Sequence, residues 1–301
     1  MNWYEDFSPV VKLNEPMASH TWMGIGGPAE YFVTPRDEAE LSAIMKRISA
    51  EGIPFRVLGA GANLLVDSDG IPGAVVHLRK EDWGRVEIDG TRLRAGAGAN
   101  FPTVIHESVR AGMAGLETLV GIPAQVGGAV RMNAGGAFGD IGRAVQRVKV
   151  MSARGDSYWR EKEDLLFEYR RTNISAPLIL EAEFALAEDN PERVLERMRK
   201  VWMYKNSTQP LAAHCAGCIF KNPEGHSAGK LIDETGLKGF TIGKATVSPK
   251  HANYIIVEPG AVSRDVLNLA EAVRERVAER TGIELEMEIK VWQAEQGAVR
   301  A

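Results

Sequence analysis

Gly121-Ile122-Pro123-Ala124-Gln125-Val126-Gly127-Gly128-Ala129-Val130-Arg131-Met132-Asn133-Ala134-Gly135-Gly136 is the stretch on which the fold turns. It is rich in glycine without being rich in serine or proline, and apolar, strand-like sequence flanks it. Glycine admits positive φ and lets backbone amides come close to an anion. A second stretch of this kind, Gly59-Ala60-Gly61-Ala62-Asn63-Leu64, follows directly on the apolar run at 53–58. Two such loops converging would cradle a pyrophosphate with amides alone, without cationic side chains. Taken singly, each reads more readily as a set of tight turns; two dense loops together point to cofactor binding. The familiar phosphate motifs are missing. There is no G-x-x-x-x-G-K-[ST]. Gly59-x-Gly61 runs on into Asn-Leu rather than into x-x-Gly opening a helix. Gly24-Ile25-Gly26-Gly27-Pro28 lacks a preceding strand.

Outward from these loops the pattern is mixed. Leu41, Ile44, Met45 and Ile48 fall at helical spacing, so residues 37–52 read as a helix closed by Gly52. Residues 53–58, 73–78 and 178–186 read as strands, and 101–113 as a helix. Hairpins are expected at 86–95, turning on Asp89-Gly90, and at 145–159, turning on Arg154-Gly155-Asp156. Near Asp189-Asn190-Pro191 the texture changes. A long helix follows, with Val194, Leu195, Met198, Val201 and Trp202 expected on its buried face. Further helices are expected at 228–235 and 264–280, the latter capped by Ser263, and a strand at 254–257. Residues 283–291 alternate strictly and read as one strand with a single buried face. Helices and hairpins mix without regular βαβ repeats, so the class is α+β. The expected units are 1–80, 81–194 and 195–283.

Bulk properties narrow the function. The net charge of −4 and a pI near 6.0 leave no basic footprint for nucleic acid. No apolar run is long enough to span a membrane. The N-terminus lacks a secretory pattern, so the expected location is the cytoplasm. The only cysteines, Cys215 and Cys218, argue against a disulfide framework.

Several segments together carry a resemblance. They are Thr21-Trp22-Met23-Gly24-Ile25-Gly26-Gly27-Pro28-Ala29, residues 58–66 and 121–136, Phe167-Glu168-Tyr169-Arg170, Thr208-Gln209-Pro210, Ala216-Gly217-Cys218-Ile219-Phe220-Lys221-Asn222-Pro223, Lys250-His251-Ala252-Asn253 and Leu285-Glu286-Met287-Glu288. In this order, over about residues 15–292, the chain resembles the UDP-N-acetylenolpyruvoylglucosamine reductase family, in its shorter subtype. The resemblance implies a two-part FAD-binding domain of the vanillyl-alcohol-oxidase type and a C-terminal α+β substrate domain, with residues 284–301 returning to pack on the first unit. It implies FAD and NADPH as cofactors, and a nucleotide-sugar substrate reduced in peptidoglycan synthesis. It implies no membrane or nucleic-acid partner, no metal, and a monomer or weak dimer. NADPH would reduce FAD, and flavin N5 would pass hydride to the enolpyruvyl group.

Through this resemblance Gly59, Ala60, Gly61, Ala62, Asn63, Leu64, Gly121, Ile122, Pro123, Gly127, Gly128, Asn133, Ala134 and Gly135 become the expected FAD contacts. Arg170, Cys218 and Glu288 become the expected catalytic residues. Arginine is always charged and can hold a carboxylate with two parallel bonds. A thiol is mostly protonated at neutral pH, so Cys218 can give a proton. Glu288 would assist protonation, with a raised pKa. Tyr169, Arg170, Gln209, Lys221, Asn222 and Lys250 are the expected substrate contacts. Without the resemblance, Arg170 reads as a surface residue at a strand end and Glu288 as part of a solvated face. Cys215-x-x-Cys218 then reads as a buried pair, a redox dithiol or half a zinc site, and Asn222 as a turn residue. Two other functions stay open: a flavin oxidase or dehydrogenase on the same scaffold, and a non-catalytic nucleotide-sugar binder.

Overall fold

Residues 2–293 are described by the structure, a computed structural model. The first helix runs Glu38–Ala50, and the Asp37 carboxylate caps it by accepting from the Glu40 amide at 2.8 Å. Its stripe of Leu41, Ile44, Met45 and Ile48 is fully buried. It packs into the cluster that also holds Phe55, Leu93, Phe101 and Phe184. The strand Phe55–Leu58 lies parallel to Ile71–His77, which lies parallel to Pro28–Val33. Val11–Pro16 closes that sheet antiparallel. The last two of these lie outside the strands expected from sequence, for different reasons. Val11–Pro16 shows no alternation, since its side chains are mostly exposed. Pro28–Val33 begins inside a glycine-proline stretch that reads as a turn.

The second sheet is wholly antiparallel, in the order Ser157–Glu161, Val145–Met151, Leu178–Ala185, Arg92–Gly96, Val86–Asp89. Both expected hairpins are present, with Gly90 and Gly155 in left-handed conformations at their turns. The helix Phe101–Arg110 stops three residues short of the expected end.

The long helix runs Pro191–Thr208, and the Asn190 side chain caps it. Val194, Met198 and Val201 join the first cluster. Trp202, expected to be buried, is 44% exposed. The buried stripe continues instead to Lys205.

Beyond this helix a separate cluster forms around Ile219, Phe220, Leu231, Val247, Ile255, Leu269 and Val273. A small antiparallel sheet of Thr241–Ile242, Ala245–Val247 and Ile255–Val257 is covered there by helices Ala228–Glu234 and Ser263–Thr281. Ser263 is not the cap expected of it. Its hydroxyl donates to Asp67 and accepts from the Ser68 amide, tying this helix to the N-terminal part. The Asp265 carboxylate caps instead, accepting from the Val262 amide at 3.2 Å.

The expected single strand over 283–291 is also corrected. Only Lys290–Trp292 is regular, parallel to Leu64–Val66, while Met287 makes an isolated bridge to Phe220. The alternation is real, with Leu285 and Ile289 buried, but it serves two neighbours in succession. Part of the expected 284–301 segment, residues 294–301, lies outside the described residues. Among the described residues, no helix is long and apolar enough to cross a membrane.

One glycine in this frame has no substitute. Gly61 has φ +66°, and a Cβ there would lie 2.0 Å from the His20 carbonyl oxygen. Gly61→Ala is expected to cost more than about 2 kcal/mol, combining the left-handed penalty with a backbone clash. Urea unfolding of the variant checks this, and a loss below about 0.5 kcal/mol would contradict it.

Candidate active site

Three extended segments meet to fix Cys218 and Glu288. Cys218 bridges Tyr254 on one side, and Phe220, two residues on, bridges Met287 on the other. The Ile219 amide donates to Asn253 O at 2.9 Å, and the Glu288 amide donates to Ile219 O at 2.7 Å. The buried Asn253 side chain accepts from the Phe220 amide at 3.0 Å and donates to its carbonyl at 2.8 Å. Each segment thus borrows its backbone partners from the next.

Arg170 arrives from another element. It sits at the tip of a two-residue hairpin between Phe167–Glu168 and Arg171–Thr172, with φ +57°. That left-handed state costs a non-glycine residue roughly 1–2 kcal/mol, and such strain gathers at functional sites. The hairpin is braced by Asn133, itself at φ +41°. Asn133 donates to Glu168 O at 2.8 Å and accepts from the Gly142 amide at 3.0 Å. The Arg170 guanidinium lies 5.1 Å over the Tyr169 ring, and its Nε donates to the Glu288 carboxylate. Both side chains of this ion pair are largely buried.

Burial pushes the Cys218 thiol up to about 12, and the nearby Glu288 charge adds to this, while Arg170 and the Tyr254 hydroxyl oppose it. Burial likewise raises Glu288 above the usual carboxylate range, with Arg170 the main opposing charge. Burial therefore shifts both groups toward their protonated forms, beside the fixed Arg170 cation. A thiol at about 12 has a thiolate fraction near pH 8 about 1,000-fold below that of one at an ordinary value of 9.0. Alkylation of Cys218 by iodoacetamide at pH 8 is expected to be slower than that of a free thiol by two to three orders of magnitude, about the same ratio. Mass spectrometry of the labelled protein reads this, and labelling as fast as free cysteine would contradict it.

Residues 209–292 match the model of the UDP-N-acetylenolpyruvoylglucosamine reductase C-terminal domain. Residues 29–159 match that of an FAD-binding domain. A UDP-N-acetylenolpyruvoylglucosamine reductase of Desulfosudis oleivorans is 40% identical over 299 residues, covering 95% of each chain. That of Heliobacterium modesticaldum is 41% identical over 289 residues, covering 95% of this chain and 92% of its own. The chain belongs to the UDP-N-acetylenolpyruvoylglucosamine reductase family. The crystal structure of the reductase from Thermus caldophilus superposes with a TM-score of 0.81 at 38% identity, covering 94% of this chain and 98% of that one. The α+β class and the expected pairing of an FAD-binding domain with a family C-terminal domain are met.

The family's flavin can be tested against the two glycine loops. They do converge: a Cβ on Gly59 would lie 3.8 Å from Gln125 Oε1 and 3.9 Å from Gly128 Cα. Among the described residues, the amides of Gly59, Ala60, Gly61, Ala62 and Asn63 donate no hydrogen bond. Two clefts flank this junction. One, of about 610 Å³, reaches His20, His77, Ala60 and His214. The other, of about 360 Å³, reaches Gly127, Gly128, Arg131 and Trp292. Gly59 and Gln125 line both. Free amides on bare backbone beside open space fit a nucleotide cofactor.

The remaining expected FAD residues line neither of these two clefts. Asn63 donates to Glu288 O at 3.3 Å, and its own carbonyl accepts from Lys290. Leu64 is buried in the strand beside it. Gly121 packs against Trp202 and Lys205, with Ile122 and Pro123 following it, and Gly135 against Gly139 and Asp140, with Ala134 before it. The loops therefore also brace the Arg170–Glu288 ion pair. Asn63 holds the Glu288 backbone and Asn133 holds the Arg170 hairpin.

Among the expected substrate contacts, Asn222 accepts from the Ala228 amide with its side chain, and its own amide donates to the Tyr169 hydroxyl at 3.2 Å. Lys221 pairs with Glu286. Lys250 donates to Asn206 O at 2.7 Å. Gln209 follows the long helix as its C-cap, with its amide donating to Lys205 O. Two site residues escaped the sequence reading. Tyr254 touches Cys218 through its hydroxyl. Lys205 is buried, donates to Val120 O at 2.7 Å, and is pushed down to about 8 by burial and by Arg170. Its signal was available: a lysine on the buried stripe of an amphipathic helix.

Proposed function

We propose that this chain is a reductase of UDP-N-acetylglucosamine enolpyruvate, forming UDP-N-acetylmuramate in the cytoplasm for peptidoglycan synthesis, with FAD as its flavin and NADPH as its reductant. The observation that carries the reading is the meeting of Arg170, Glu288 and the Cys218 thiol, from three separate segments, beside two convergent glycine loops. Bound FAD, once reduced by NADPH, supplies the hydride. Residues 1–80 and 81–194 would make the two halves of its domain, and 195–283 the substrate domain. The boundary falls inside the helix Pro191–Thr208, whose packed face stays with the residues before it.

The protein's own groups then have separate tasks. Arg170 is held at one place by Glu288 and the braced hairpin, so its charge needs no reorganisation as negative charge grows on the substrate carboxylate. Cys218 keeps its proton until a stronger base than water forms beside it, namely the substrate enolate. The resulting thiolate would be met by the Tyr254 hydroxyl and by Arg170, the two groups that lower its pKa. Glu288, raised in the same direction, would polarise the enolate.

The test is steady-state NADPH oxidation by the purified protein. It is expected to require the enolpyruvyl nucleotide, with UDP-N-acetylglucosamine inert in its place. Rapid oxygen consumption that ignores the enolpyruvyl compound would instead favour a flavin oxidase on the same scaffold.

A further inference from the structure

The cleft of about 360 Å³ is lined by two arginines, Arg56 and Arg131, that the amide-only cradle did not call for; Arg56 donates to Pro72 O at 3.0 Å, and it is Arg131 that shares a helix with the loop glycines. Arg131 follows Gly127 and Gly128 on the short helix Val126–Arg131 and lines this cleft with them. Its guanidinium is anchored by backbone alone. Nη1 donates to Ile174 O, and Nη2 donates to Ala176 O and to Pro177 O. Among the described residues no carboxylate pairs with it, and no Asp or Glu lines the cleft. Nε and the second Nη1 hydrogen have no acceptor among those residues. Enclosure without a counter-charge also pulls this arginine down to about 10. A guanidinium held this way, with directed donors left over, is an incomplete anion site.

The geometry points to Arg131 as the cation that binds the diphosphate of FAD, adding a directed charge to the glycine-loop amides. This rests on the flavin reading above. The lining favours the cofactor over the sugar nucleotide. Gly59, Gly127 and Gly128 line the cleft with Arg131, whereas Arg170, Cys218 and Glu288 do not. Every lining residue except Trp292 precedes residue 180, and none falls within 195–283. Arginine suits the task because its planar fork can give two parallel bonds to a phosphate while its other nitrogens stay fixed on carbonyls.

The test compares two flavins on the flavin-depleted full chain. FAD carries the diphosphate and riboflavin does not. In Arg131→Met, FAD binding is expected to weaken by about 10–100-fold, the usual worth of a hydrogen bond to a charged group, while riboflavin binding stays unchanged. Arg131→Lys keeps a charge but loses the fork, and is expected to weaken FAD by less, again without touching riboflavin. It also covers the case in which the methionine variant does not fold. Equal weakening of both flavins in either variant would show a brace for residues 174–177 and overturn the proposal. Unchanged FAD affinity with a raised KM for the enolpyruvyl nucleotide would assign the charge to the substrate and overturn it too. Wild-type protein that binds neither flavin would count against the flavin reading itself.

Discussion

Cys218→Ala protein is expected to let NADPH bleach its flavin at the wild-type rate, while substrate-driven return of the yellow colour slows by about 10²–10⁴-fold, the usual worth of a positioned general acid. The split follows from the proton inventory of the site. The first half of the cycle moves a hydride onto flavin and asks nothing of the thiol. The second half needs a proton at the carbon next to the one that received hydride. Cys218 still holds one at neutral pH, because burial lifts it to about 12. Cys218→Ser should recover part of the lost rate, since a hydroxyl can also donate. Stopped-flow absorbance under anaerobic conditions resolves the two halves. Equal slowing of both would mean that the substitution disturbed the flavin, and unimpaired reoxidation would remove Cys218 from the chemistry.

Arg170→Met should act on the other half of the same step. A fixed charge aimed at developing negative charge is worth about 10²–10³ in rate. The loss is expected in kcat of the substrate half-reaction and in kcat/KM together, because the interaction strengthens as the enolate forms. Flavin reduction by NADPH should change little. The variant also leaves the buried Glu288 without its ion-pair partner. Its pKa, already raised by burial, should then rise further, since Arg170 is the main influence holding it down. The sign is clear: removing the cation favours the protonated form. A pH profile of the substrate half-reaction would show the inflection set by Glu288 moved to higher pH. A fall in rate confined to KM, with kcat intact, would mean that Arg170 only binds substrate.

Much of this site could be read from residues, but unevenly. The helix Glu38–Ala50 was plain because its cap and stripe agree. The hairpins were plain because Asp89-Gly90 and Arg154-Gly155-Asp156 announce their turns. Glu288 shows where local reading stops. It alternates with Glu284, Glu286 and Lys290 like a solvated face, yet its side chain is enclosed because the segment leaves one neighbour for another at that point. Nothing within 283–291 encodes that change of partner; it is set by residues 219–221 and 64–66. Arg170 is similar. Its left-handed φ is imposed by a hairpin that Asn133 holds from far along the chain. Ser263 and Trp202 were misread for the same cause. Each has a local pattern that fits one role and a distant contact that assigns another.

The glycine loops carry a related lesson. Their sequence suggested a cradle for an anion, and their convergence at Gly59, Gln125 and Gly128 bears on that directly. Their asparagines have a second task, since Asn63 and Asn133 each position one member of the Arg170–Glu288 ion pair. On the proposed function, the flavin cradle and the Arg170–Glu288 geometry share these loops, so damage to either loop should impair flavin retention and turnover together.

The most direct measurement adds UDP-N-acetylglucosamine enolpyruvate to the wild-type chain after NADPH has bleached it in the absence of oxygen. The oxidised flavin spectrum should return within the time of a few turnovers, with one UDP-N-acetylmuramate formed per flavin. Protein that stays bleached, or that carries no flavin and takes up none, would contradict the account.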